Sequence, residues 1–364
     1  MSTVARSHVG IIDPGARVGW LDTARGIGIL LVTFGHVLHG LILGGIVTGT
    51  AWQWGFVTLY TFHMPLFMVL AGVNMPAAYA CGTVPFLRRK LMTVGYPYIL
   101  WSLIQGLCLI LLSAHTNHLM TGERLLRIGW DPIAQFWFLY ALLLYAIAIA
   151  VAGMRRGVLI GLAGVAVLLE PLAIRGSGIG LVLHHAPYVV AGIIGSRTIL
   201  TARDVPAWYA VIGWIGLFAV GRAMIPPHAL YGYLGLAAYL CAIAGIWLVL
   251  AMARGMGGPV AHLLAVLGRA SLPIYVLHLF AASGLRIAVV RLGIELPALA
   301  HLLLGTAVGV GVPLAVAALL DRYGLLPVVG LGRARERRPA IWEQAPPSFG
   351  GPAWTARRAD SPHG

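Results

Sequence analysis

The stretch Trp20-Leu-Asp-Thr-Ala-Arg25-Gly-Ile-Gly-Ile-Leu-Leu-Val-Thr-Phe-Gly-His36-Val-Leu-His39 decides the fold. It is an apolar run, continuing to Leu43, that is long enough to cross a hydrocarbon core as one helix. Arg25 and His36 lie eleven residues apart in it. At about 100° and 1.5 Å per helical residue, that separation brings the two side chains to within roughly 20° of one another and about 16 Å apart along the axis. A cation near one membrane surface and an imidazole near mid-bilayer, both on one face, are costly in lipid and point to a site.

The rest of the chain has the same character. Hydrophobic residues make up 59% of 364 positions and charged residues 10%, with a mean hydropathy of +0.88. Alternating strand patterns separated by turns, the signature of a membrane barrel, are absent, so helices are the remaining way to satisfy the backbone in lipid. The expected fold class is all-α: a polytopic helical membrane protein. Ten spans are expected, near 20–44, 51–80, 93–114, 134–154, 157–174, 181–199, 207–225, 231–252, 266–288 and 297–319. An even count puts both termini on one side.

The net charge of +14 is distributed in a way that argues against a nucleic-acid partner. With a cytoplasmic N-terminus, 19 of the 25 Lys and Arg fall in cytoplasmic segments or at cytoplasmic helix ends; Arg124, Arg127, Arg175, Arg222, Arg286 and Arg291 fall outside. This asymmetry is the positive-inside pattern and predicts a multi-pass protein of the cytoplasmic (inner) cell membrane. Basic patches interleaved with stacking aromatics are not seen. Trp52, Trp54, Trp130, Trp208 and Tyr231 fit interfacial belts.

Three expectations concern organisation. Residues 1–19 lack an apolar h-region and form a cytoplasmic N-terminal segment rather than a cleaved signal peptide; residues 20–322 form the transmembrane domain; residues 323–364, with Arg333-Ala-Arg-Glu-Arg-Arg338, form a basic tail expected to be disordered near the anionic leaflet. The longest outer loop, near 115–133, holds His115, His118, Glu123, Arg124, Arg127 and Asp131, and either rims an acceptor site or is merely solvated. Cys81, Cys108 and Cys241 have no metal-ligand spacing, so neither a disulfide framework nor a metal site is expected.

Five segments in order resemble the acyltransferase 3 family of bacterial integral-membrane O-acyltransferases, in particular its sugar O-acetylase branch, similar to fucose 4-O-acetylase. They are Asp22 to His36, with the family's Arg-x10-His motif; Phe62-His-Met-Pro-Leu-Phe-Met-Val-Leu-Ala-Gly72; Phe86 to Tyr98, with its basic cluster; Phe136-Trp-Phe-Leu139; and Leu267-Gly-Arg-Ala-Ser-Leu-Pro-Ile-Tyr-Val-Leu-His278. The resemblance covers roughly residues 18–320. Two departures stand out: Ala71 where the family often has Ser, and Leu91 and Met92 where it often has a further Arg.

The resemblance implies O-acyl transfer, most simply O-acetyl transfer, from acetyl-CoA or another acyl-CoA to a hydroxyl of a sugar or cell-surface glycan, which could be lipid-linked. No tightly bound cofactor and no metal are implied. Chemistry assigns roles independently. Acyl transfer to an alcohol needs a base, and neutral imidazole suits neutral pH, which makes His36 the candidate base. Arg25 carries a guanidinium that matches a donor phosphate through its bidentate fork, and otherwise is a snorkelling anchor paired with Asp22. Arg88, Arg89 and Lys90 are the other nearby cations for the donor.

His63 should lie near the depth of His36, either as part of the catalytic group orienting the acceptor or satisfying a core hydrogen bond. His39, one turn above His36, reads as a lining residue. Ser271, Tyr275 and His278 follow i, i+4, i+7 spacing and share a stripe that binds substrate or packs against neighbouring helices. The rival to the enzyme is a secondary transporter or flippase of an anionic or glycosylated solute, with Arg25 on the anion and His36 relaying protons. Against it, the chain has nearly no mid-membrane carboxylates: Asp22 and Glu170 lie near span ends. A family member that has lost catalysis is the third reading.

Overall fold

In the computed structural model, residues 19–111, 121–174, 176–202, 208–226, 234 and 236–332 are described. Every regular element among them is helical. Among the described residues, seven helical stretches are long and apolar enough to cross a membrane, including Gly19–Leu43, Thr50–Tyr79, Thr83–Leu111 and Ser271–Arg291. The protein is therefore an all-α polytopic membrane protein. His115, His118, Arg175, Arg203, Tyr231, the N-terminal segment and the Arg333–Arg338 cluster lie outside the described residues.

The first span is helix α1, Gly19–Leu43. The second is two helices, α2 (Thr50–Tyr60) and α3 (His63–Tyr79), broken at Thr61-Phe62. Pro65, in the first turn of α3, favours a break there: it has no N–H to donate to the Thr61 carbonyl, and its ring crowds the preceding turn. The third stretch is α4 (Thr83–Lys90), a π-turn over Leu91–Gly95 and α5 (Tyr96–Leu111). There follow α6 (Gly122–Leu126), α7 (Trp137–Ala152), α8 (Arg156–Leu169), α9 (Gly178–Ile194), α10 (Ser196–Thr201), α11 (Trp208–Ala223), α12 (Leu236–Gly255), α13 (Gly258–Arg269), α14 (Ser271–Arg291) and α15 (Ala298–Arg322). Of the other spans read from sequence, α8, α9 and α11 are shorter, at 14, 17 and 16 residues.

Close helix contacts are made through glycine. A Cβ on Gly72 in α3 would lie 2.3 Å from the Val189 carbonyl oxygen in α9, and one on Gly192 in α9 the same 2.3 Å from the Val69 oxygen. Only residues without a side chain let these backbones meet, the usual device where lipid supplies no hydrophobic drive between helices. The same device joins α1 to α13: a Cβ on Gly26 would lie 1.9 Å from the Leu264 oxygen, and one on Gly268 1.8 Å from the Asp22 oxygen. Helix α13, which the sequence reading leaves between spans, thus clamps the Arg25 end of α1 and hands the chain directly to Ser271.

At this end of the bundle the Arg254 guanidinium lies 4.3 Å over the Trp20 ring. At the opposite end of α1, Arg286 of α14 donates to the Gly40 carbonyl at 2.6 Å. Residues 323–332, read from sequence as the start of the tail, turn back onto α5: Tyr96 Oη donates to the Val328 carbonyl at 2.5 Å and Trp101 Nε1 to the Val329 carbonyl at 2.9 Å.

Candidate active site

His36 lines the first and the third of three neighbouring cavities. The first, about 430 Å³, is lined by His36, Tyr60, His63, Gln135, His185 and Tyr275 among others. The second, about 550 Å³ and mostly apolar, is lined by Ile29, Val32, Thr93, Val94, Ser271 and Tyr275 among others. It shares Met64 and Tyr275 with the first. The third, about 290 Å³, runs from His36 past Gly40 to Arg286 and His301.

The positions on α1 order these spaces. Arg25, Ile29, Val32 and His36 follow i, i+4, i+7, i+11 spacing on one helical face. The two middle residues line the apolar cavity, so that cavity borders α1 between the cation and the imidazole. Thr93 and Val94, which line it, follow the cluster Arg88-Arg89-Lys90 within one turn. Arg88 and Arg89 are exposed, and the Lys90 Nζ lies 5.8 Å from the Phe86 ring centroid. The Arg25 side chain donates to Asp22 Oδ1 at 2.7 Å and is 26% exposed, whereas that of Asp22 is 2% exposed. The buried carboxylate orients the guanidinium and neutralises part of its charge, while the rest of the fork stays accessible.

Four imidazoles share one hydrogen-bonding pattern. His36 Nδ1 is 2.9 Å from the Val32 carbonyl oxygen, His63 Nδ1 2.7 Å from that of Leu59, His185 Nδ1 2.8 Å from that of Leu181, and His278 Nδ1 2.7 Å from that of Tyr275. A carbonyl oxygen only accepts, so Nδ1 carries the proton in each. In the neutral ring Nε2 is then left with a free lone pair. The Nε2 atoms of His63 and His278 are buried with no hydrogen-bond partner. His36 therefore presents the tautomer a general base needs, with its proton fixed by its own helix.

The neighbours of His36 are specific. The His278 ring centroid is 5.0 Å away and that of Tyr60 5.9 Å. Tyr60 bridges to His63 at 4.7 Å. Tyr275 Oη donates to the Gln135 carbonyl, and Gln105 and Gln135 exchange amide hydrogen bonds of 3.1 and 2.8 Å. These bonds fix the cavity wall at the α7 end.

Of the residues expected from sequence, His36, His63, Tyr275 and His278 converge here, and Ser271 lies farther along on the apolar cavity. His39 stacks on Phe56 at 4.8 Å and is not among the residues lining these three cavities. Sequence reasoning missed His185, Gln135 and Trp137. The dyad His184-His185 in an apolar run was the available signal, and Gln135 directly precedes the aromatic segment Phe136-Trp-Phe. His184 turns away from the cavity to Glu170, Nδ1 to Oε1 2.9 Å. Among the described residues no group of three or more His, Cys, Asp or Glu is arranged to hold a metal ion.

Residues 18–318 match the acyltransferase 3 family, described as an acyltransferase domain. Nodulation protein NolL of Mesorhizobium japonicum is 32% identical over 133 residues, which cover 36% of this chain and 34% of that protein. The chain thus aligns with about a third of that relative's length. No solved structure matches.

Proposed function

Because the chain belongs to the acyltransferase 3 family and is a membrane acyltransferase, we propose that it moves an acyl group, most simply acetyl, from acyl-CoA to a hydroxyl of a sugar or glycan, with His36 as the base and Arg25 at the donor phosphates. The observation that carries this reading is the apolar cavity lined by Ile29 and Val32, which lie between those two residues on one face of α1. Eleven helical residues span about 16 Å, comparable to an extended pantetheine arm. Phosphates at the Arg25 end, with Arg88, Arg89 and Lys90 as further cations, then leave the thioester beside His36.

The chemistry needs no resident cofactor in this scheme. The acceptor O–H gives its proton to His36 Nε2 as its oxygen bonds to the thioester carbon. The C–S bond breaks, and the CoA thiolate takes the proton back from the imidazolium. A covalent acyl-imidazole on His36 is the variant route. The Nε2 lone pairs of His36, His63 and His185 suit a ligand rich in O–H donors, which supports a sugar acceptor. His63, His185 and Gln135 would orient it, and Ser271 and Tyr275 line the donor side. A cytoplasmic-side donor follows from the distribution of Lys and Arg.

The test is donor discrimination in the full-length protein reconstituted in proteoliposomes. Labelled acetyl-CoA and labelled acetyl-pantetheine, which lacks the nucleotide phosphates, are offered to wild type and Arg25→Ala. The reading requires that Arg25→Ala weakens use of acetyl-CoA and leaves acetyl-pantetheine unaffected. Equal loss for both donors removes the phosphate role. If labelled acetyl-CoA is never consumed while a solute gradient is dissipated, the protein transports instead.

A further inference from the structure

The cavity on the far side of His36 from Arg25 ends at a second cation. Arg286 lines it with His36, Ser283 and His301. Its Nη1 is anchored to the Gly40 carbonyl at 2.6 Å, and no carboxylate pairs with it among the described residues. Gly44 leaves room for the group: a Cβ there would lie 3.1 Å from Arg286 Nη1. His301 is 3% exposed, and its Nε2 is buried without a hydrogen-bond partner. A half-buried guanidinium, an unpartnered imidazole and a serine hydroxyl that line one cavity form a set suited to an anion.

We propose that Arg286, with His301 and Ser283, is an anion subsite for the acceptor, which is a sugar carrying its own carboxylate or phosphate. The inference rests on the acyl-transfer reading of His36 and adds the charge of the acceptor to it. Gly40, which positions Arg286, is four residues from His36, so the anion would sit about 6 Å along the axis from the base. That is the width of one sugar ring. The ring would enter first, with hydroxyls among the imidazoles, while its anionic group stays at Arg286. Donor and acceptor charges are thereby bound at opposite ends of α1 and do not compete.

The experiment measures equilibrium binding of glucuronate, glucose 1-phosphate and glucose to the full-length protein in zwitterionic nanodiscs, with acetyl-CoA titrated in parallel. Wild type should bind the two charged sugars at least tenfold more tightly than glucose. Arg286→Gln removes the charge, and should abolish the preference while binding acetyl-CoA normally. Arg286→Lys should retain it, so the assignment stays testable even if the Gln variant unfolds. Equal binding of charged and neutral sugars by wild type, or an unchanged preference in Arg286→Gln, overturns the proposal. So does displacement of nothing but phosphatidylglycerol in anionic nanodiscs, which would make the site a lipid-headgroup anchor. Loss of acetyl-CoA binding in wild type, with the sugar preference intact, would instead strike the donor reading and leave the subsite standing.

Discussion

The His36 and His278 rings lie 5.0 Å apart, centroid to centroid, with each Nδ1 committed to a carbonyl of its own helix. Two helices thus bring two imidazoles of the same tautomer to one point, both with Nε2 free of backbone partners. His36 borders two cavities, whereas His278 is fully buried. The first is placed to meet substrate and the second to position it. His278→Phe, which keeps ring volume, should lower the transfer rate by about tenfold without changing donor KM. Loss of a base is expected to cost about 10²-fold or more. Steady-state kinetics on reconstituted protein checks the split; a loss as deep as that of the His36 variant would exchange the two roles.

Arg25 makes a hydrogen bond of 2.7 Å to a nearly buried carboxylate, so a phosphate must share the guanidinium with Asp22. A charge-assisted hydrogen bond contributes about 1.5–3 kcal/mol. Arg25→Ala should therefore raise the KM for acetyl-CoA by roughly 10–150-fold and leave kcat largely intact. Arg25→Lys should recover part of the loss, since a point charge remains without the bidentate fork. A fall in kcat with unchanged KM would place Arg25 in the chemistry rather than at the donor mouth.

Thr93 borders the apolar cavity and is only partly buried, so a large side chain there can fill the cavity without opening the core. Thr93→Trp should raise the donor KM and spare binding of a soluble sugar. Thermal melting in detergent should shift little. Donor kinetics indistinguishable from wild type would mean that the acyl arm follows another route.

Gly72 and Gly192 make the α3–α9 crossing. Gly72→Ala should destabilise by about 1–3 kcal/mol, the usual cost of overpacking, because the new Cβ meets the Val189 carbonyl at 2.3 Å. Gly164→Ala in α8, where a Cβ meets nothing within 4 Å, serves as the control and should show no loss. Equal melting temperatures for the two variants would contradict the packing described.

The helical membrane class and the shared face of Arg25 and His36 were legible because hydropathy and the 3.6-residue period act locally. His63 was readable by depth, and Ser271, Tyr275 and His278 as a stripe. What packs beside them was not legible: His185 reaches the site only because α9 is pinned to α3 by glycine, and Arg286 only because α14 lies along α1. The same limit applies to α13. At 12 residues it is too short to read as a span, and only the glycines at 26 and 268 tell that it clamps α1. One turn above His36, His39 has the same period, and its ring stacks on Phe56.

The central claim is that His36 Nε2 takes the acceptor proton at the end of a track beginning at Arg25. It is tested most directly by following labelled acetyl transfer from acetyl-CoA in proteoliposomes made with wild type and with His36→Ala. The label should appear on a hydroxylated product with wild type, and transfer should fall by at least about 10²-fold with His36→Ala. Acetyl-CoA binding should be retained in both. Full transfer by His36→Ala would contradict the account.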